Sequence, residues 1–109
     1  MSIYTTELVI DSSAQDLEQI LKTVEELKRT LVESGMACSP ETHSYICGDS
    51  YTLVKVLPVS VGAPRSEVGG QYPIVSIRIA SSSPEHLVRI DTKVVELLKA
   101  NHVRFRRSS

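Results

Sequence analysis

No apolar run in this 109-residue chain approaches the roughly 18 residues that a membrane-spanning helix needs. A membrane partner is therefore not expected. The N-terminus has no basic segment followed by an apolar one, so a secretory leader is not expected either. Neither sign of charge dominates, with 12 Lys and Arg against 13 Asp and Glu. No global field then favours nucleic acid or an anionic membrane. Two cysteines in a chain this long do not make a disulfide framework. They read as thiols of a reducing, cytoplasmic compartment. Neither a Walker lysine nor the G-x-G-x-x-G spacing occurs, and no paired carboxylates or activated nucleophile stand out. No cofactor or metal is implied.

What is present is one well-patterned stretch, Tyr72 to Asn101, around which the rest is organised. Val75, Ile77 and Ile79 alternate with Ser76 and Arg78, the period of two of a half-buried strand. Ser83 is a suitable N-cap, Pro84 suits the first helical position, and Glu85 suits the first turn. Leu87, Ile90, Val94, Leu97 and Leu98 then recur at the spacing of one helical face. Lys99 complements the C-terminal dipole and Asn101 is a stop.

A weaker echo covers Glu7 to Arg29. At an offset of 70 positions, Ser12 and Ser13 align with Ser82 and Ser83, and Leu17, Ile20 and Val24 with Leu87, Ile90 and Val94. An internal repeat and the shared grammar of capped amphipathic helices both account for this. The offset pairs Val9 with Ile79, whereas alternation turns Leu8 and Ile10 inward. One of the two strand-to-helix turns is therefore expected to differ by a residue.

In chain order, Ile3 to Ile10 is a strand. Asp11-Ser12-Ser13 caps a long helix, Ser12 with Gln15 forming a capping box. Leu17, Ile20, Leu21, Val24, Leu27 and Leu31 form its buried stripe, and Gly35 ends it. Met36 to Thr42 is a connection. His43 to Cys47 is a short strand, and Gly48-Asp49-Ser50 has turn chemistry. Tyr51 to Val61 is a second extended run, joined to the first as a hairpin or as one bulged strand. Gly62 to Gln71 is a loop, and Val103 to Arg106 a short last strand. The expectation is a single α+β domain over residues 1–109. Its arrangement is a ferredoxin-like split βαβ sandwich, β-α-β-β-α-β with room for an extra hairpin strand, both helices on one face of an antiparallel sheet.

Such a sandwich leaves the other sheet face for function. Lysine is costly in a core, so Val54 and Val56 point inward. Tyr51, Leu53, Lys55 and Leu57 then point outward, joined by Ile74, Ser76 and Arg78. That many large apolar groups call for a partner, either another copy or another protein subunit, or for a cover such as the Gly62–Gln71 loop.

Other constellations are weaker. Cys38, His43 and Cys47 form a C-x4-H-x3-C spacing that fits no compact zinc motif, and a Cys–His nucleophile pair from them is no better supported. Ser81-Ser82-Ser83-Pro84 suits anion binding at a helix start, but serines there are also ordinary caps. Arg65, Gly69 and Gly70 are the candidate ligand residues of the 62–71 loop. The basic ending Val103 to Arg107 suits RNA or an acidic partner, or simply a protected edge strand. The expected strand order is shared with RNA-recognition domains, which need aromatics on central strands. The Tyr72–Ile79 strand offers none after Tyr72, so that family is not indicated.

The sequence thus points first to a non-enzymatic interaction or oligomerisation module working through Tyr51, Leu53, Lys55, Leu57, Ile74 and Arg78. The second reading is a small enzyme or ligand sensor at the same face or a dimer seam, using His43, Lys55, Arg65 and Arg78. The third is nucleic-acid binding through Lys55, Arg78, Arg104, Arg106 and Arg107, which the charge balance argues against.

Overall fold

A computed structural model describes residues 2–11, 15–40, 44–60 and 73–108. Ser12, Ser13, His43, Tyr72 and the 62–71 loop with Arg65, Gly69 and Gly70 lie outside the described residues, and Ile74 is described by its backbone alone.

The described chain runs β1 (Tyr4–Asp11), α1 (Leu17–Glu33), β2 (Ala37–Cys38), β3 (Tyr45–Gly48), β4 (Thr52–Ser60), β5 (Pro73–Ser81), α2 (Pro84–Ala100) and β6 (Arg106–Ser108). This is an α+β fold with two helices and a six-stranded open sheet in the order β2-β3-β4-β5-β1-β6. Every strand pair is antiparallel. The order is longer than a simple four-stranded split βαβ sheet, because β2 and β3 extend it beyond β4.

Alternation selects which face is buried. Leu8 and Ile10 of β1, Tyr45 and Cys47 of β3, Val54 and Val56 of β4, and Val75, Ile77 and Ile79 of β5 all join one core. The helices close it with Ile20, Val24, Leu27 and Leu31 from α1 and Ile90, Val94 and Leu98 from α2. Val54 and Val56 point inward and are fully buried. The Tyr45 hydroxyl donates to the Val24 carbonyl at 2.6 Å, tying β3 to α1.

The first helix starts later than the sequence suggests. Its N-cap is Asp16, whose carboxylate accepts from the Glu18 N–H at 3.0 Å. Gln15 does not serve a capping box. Its side-chain amide donates to the carbonyls of Asp11 (2.6 Å) and Arg104 (3.1 Å), and its oxygen accepts from the Arg104 N–H (2.7 Å). Leu17, expected in the buried stripe, is 43% exposed because it sits at the helix's first position rather than a turn inside it.

The two helices end alike. Gly35 has φ +99°, and the Gly35 and Met36 N–H groups return to the carbonyls of Val32 (3.0 Å) and Leu31 (3.1 Å). His102 takes the same role after α2 with φ +58°, and the His102 and Val103 N–H groups return to Lys99 (3.0 Å) and Leu98 (2.9 Å). Both are Schellman endings, which call for a residue that tolerates the left-handed region. Met36 and Val103 follow them into the core.

Cys38 and Cys47 form a disulfide, which corrects their reading as free thiols. They are partners in the β2–β3 ladder, so strand pairing brings the two side chains together. The reducing-compartment reading loses its footing with them. The connection after α1 therefore contains a strand. The hairpin alternative describes β3–β4: Gly48 pairs with Leu53, and the Asp49 carboxylate accepts from the N–H groups of Tyr51 and Thr52, both at 2.8 Å. The last strand begins at Arg106 rather than Val103, which is buried in the chain's approach to it. Among the described residues, no helix is long and apolar enough to cross a membrane.

Candidate interaction face

The face of the sheet away from the helices is read in rows across the strands. One row runs Ile46 (β3), Lys55 (β4), Arg78 (β5), Glu7 (β1) and Ser108 (β6), each the ladder partner of the next. A second runs Leu53, Ala80 and Thr5. A third runs Leu57, Ser76 and Val9.

The rows differ in exposure. Leu53 and Ile46 are each 43% exposed, although both belong to strands whose alternate residues are buried. Leu57 is half-buried, and Ser76 and Val9 are buried. The accessible part of the face is therefore the Ile46–Ser108 row and the Leu53–Thr5 row. Between them lies a concavity of about 530 Å³, lined by Thr5, Glu7, Leu53, Lys55, Arg78 and Ala80 among others. Its floor is low at Ala80, whose methyl group stands between the larger Leu53 and Thr5 in its row.

Charge on this face is unevenly compensated. Arg78 donates from Nε to Glu7 Oε2 at 3.1 Å, and the Ser76 hydroxyl donates to the same oxygen. Those bonds, the Ser76 one first, hold the Glu7 carboxyl below the usual carboxylate range. Lys55 stands directly opposite Arg78, a like-charge cross-strand pair that disfavours the isolated sheet. No hydrogen bond or ion pair reaches Lys55 among the described residues.

The structure brings Leu53, Lys55, Leu57 and Arg78 onto one face. Tyr51 does not join them, because its ring turns to the helix layer. It precedes β4, is 53% exposed, and stacks on the His86 ring of α2 at 4.5 Å between centroids. The Ile74 backbone pairs with Val59 and Asp11, placing it at the far end of the face. Ile46 and Glu7 were not picked out from sequence as parts of this surface. The signal for Ile46 was in the Tyr45-Ile46-Cys47 alternation, and Glu7 is fixed there only by its pairing with Arg78.

The remaining constellations have internal uses. Cys38 and Cys47 are spent on each other and are neither metal ligands nor nucleophiles. Ser83 caps α2, accepting from the His86 N–H at 3.4 Å. Ser81 Oγ donates to the Tyr51 carbonyl at 3.0 Å and accepts from the Ser83 N–H at 3.1 Å. Arg107 clamps both carboxylate oxygens of Asp91 (2.9 and 3.2 Å) and the Thr6 hydroxyl (2.9 Å), so it secures β6 against α2. A second hollow of about 500 Å³ lies between the start of α1 and the end of α2, where Gln19 donates to the Asn101 side chain at 3.2 Å.

Compared with protein-family models, curated proteins and solved structures, the chain matches none of them.

Proposed function

We propose that the chain is a non-enzymatic interaction module that works through the open sheet face, as a homo-oligomer or as a subunit bound to another protein. The observation that carries this reading is the exposure of Leu53 and Ile46, diagonal neighbours across the β3–β4 ladder, next to Lys55, a cation without a partner among the described residues. Exposed large apolar groups on a regular, rigid surface gain by being covered. In the same reading, the succession β6-β1-β5-β4 with α1 and α2 as crossovers is a ferredoxin-like core, and the β2–β3 hairpin is an addition ahead of β4.

The test is substitution on the face without disturbance of the core. Leu53→Asp and Ile46→Asp should keep the wild-type circular dichroism and lower the association state seen by light scattering, or abolish binding to a protein partner. Folded variants that associate as the wild type does would sink the reading. The concavity between two cationic side chains supports a second reading, a ligand sensor for a small anion. A rise in melting temperature with such a ligand would favour it.

A further inference from the structure

We infer that the open face pairs with the same face of a second copy, about a two-fold axis that runs parallel to β5 and passes over Arg78. Lys55 of each chain then meets Glu7 of the other. The inference rests on the open face being the interaction surface, and it names the occupant.

The order of charges carries it. Across β4, β5 and β1 the row reads Lys55, Arg78, Glu7: plus, plus, minus. Neighbouring strands lie about 4.8 Å apart, so the two ends of the row are well separated. A two-fold axis along the strands turns the face over and reverses the row. The reversed row reads minus, plus, plus, and its Glu7 lies over Lys55 at one end while Lys55 lies over Glu7 at the other. The other in-plane axis, along the row, sets Lys55 on Lys55 and Glu7 on Glu7. Like charges in an interface are strongly disfavoured. The charges therefore favour the axis along the strands over the axis along the row. On the axis, Arg78 meets its own copy, but each Arg78 already has Glu7 of its own chain at 3.1 Å.

The same operation treats the neighbouring row well. Reversal of Leu53–Ala80–Thr5 places Ala80 against Ala80 at the axis and Leu53 beside Thr5 of the other copy. The two leucines flank the hollow over the paired alanines, and the facing copy covers the concavity of about 530 Å³ that each face leaves open. Stacked sheets sit about 10 Å apart, a gap that facing lysine and glutamate side chains span. The contact is isologous, as closed two-fold pairs are.

The experiment measures solution mass by light scattering over a concentration series. Wild type should reach twice the chain's 12.0 kDa. Lys55→Glu makes the row minus, plus, minus, and Glu7→Lys makes it all plus. Each alone should be monomeric, and an equimolar mixture should recover the doubled mass, since an all-plus row complements the other when reversed. Lys55→Glu breaks no bond within the described chain, so it carries the test even if Glu7→Lys does not fold. If Lys55→Glu remains a dimer while Leu53→Asp dissociates, the two-fold arrangement is wrong and the face reading survives. A wild type that stays at 12.0 kDa throughout overturns the second copy as occupant. The face reading then stands or falls on whether Leu53→Asp abolishes binding to a different protein.

Discussion

Cys38 and Cys47 stand directly opposite one another in the β2–β3 ladder, and their sulfurs are bonded. The bond staples a two-residue edge strand to a sheet that would otherwise hold it by few hydrogen bonds. Closing a loop this short restricts the unfolded chain by roughly 2.5 kcal/mol. A dithiol reductant should therefore lower the melting temperature by on the order of 10 °C. An unchanged melting curve would show that the bond adds nothing to stability.

Tyr45 is the large polar side chain at the centre of the core, 2% exposed, with its hydroxyl on the Val24 carbonyl. Burial, and then the nearby Glu25, push its phenol well above the ordinary range. Tyr45→Phe keeps the ring and loses the bond, so the urea midpoint should fall by an amount worth about 1 kcal/mol. The pH dependence has a definite sign. The folded state holds the phenol protonated, so stability is lost as pH rises past the ordinary phenol value of about 10. In Tyr45→Phe that alkaline loss should be smaller.

Glu7 gives the opposite limb. Its carboxyl is held low by the Ser76 hydroxyl and by Arg78. The stabilisation is complete above the unfolded glutamate value of about 4.3 and disappears as pH falls through the lower folded value. Glu7→Gln should have a flatter stability profile on the acid side and little change in shape near neutrality. Chemical denaturation from neutral pH down to strongly acid pH would show it.

Gly35 sits at φ +99°, and beyond its immediate chain neighbours nothing lies within 4 Å of the place a Cβ would occupy. Space is therefore not the constraint, and backbone conformation is. Gly35→Ala should cost about 1 kcal/mol through the left-handed penalty alone. If thermal melting shows no loss, the Schellman ending of α1 is not formed in solution.

How far the sequence could be read is clearest at the two strand–helix units. The offset of 70 matches the strand ends, Asp11 and Ser81, but the helices align at 67: Asp16 with Ser83 at the caps, Glu33 with Ala100 at the last turns, and Gly35 with His102 beyond them. Buried Thr23, Leu27 and Leu31 then fall on Ile90, Val94 and Leu98. Five residues join β1 to α1 and two join β5 to α2. Hydrophobic periodicity locates a helix face to within a turn, and a shift of three or four residues preserves that face, so the pattern alone could not distinguish the offsets. Ser12-Ser13 has cap chemistry, and so has Asp16. What decides is Gln15, which bonds to a residue 89 positions away. The open face was legible for Leu53 and Lys55, because a lysine amid valines fixes the register of β4. Its complement, Glu7, depends on which strand lies beside β5, and no local pattern encodes that. The cysteine pairing was hidden for the same reason.

Among the described residues, the sheet ends on a strand of two residues at one margin and of three at the other. Pro40, which has no N–H to offer, follows the first shortly after, and Arg106 and Arg107 occupy the second. Strands this short are poor templates for further strands. Such short edge strands disfavour growth by strand addition, the route to fibres. Stacking on the open face uses that face up once one copy has docked. If the open face pairs as proposed, a concentrated solution of this chain should hold small particles of fixed stoichiometry rather than an open-ended polymer.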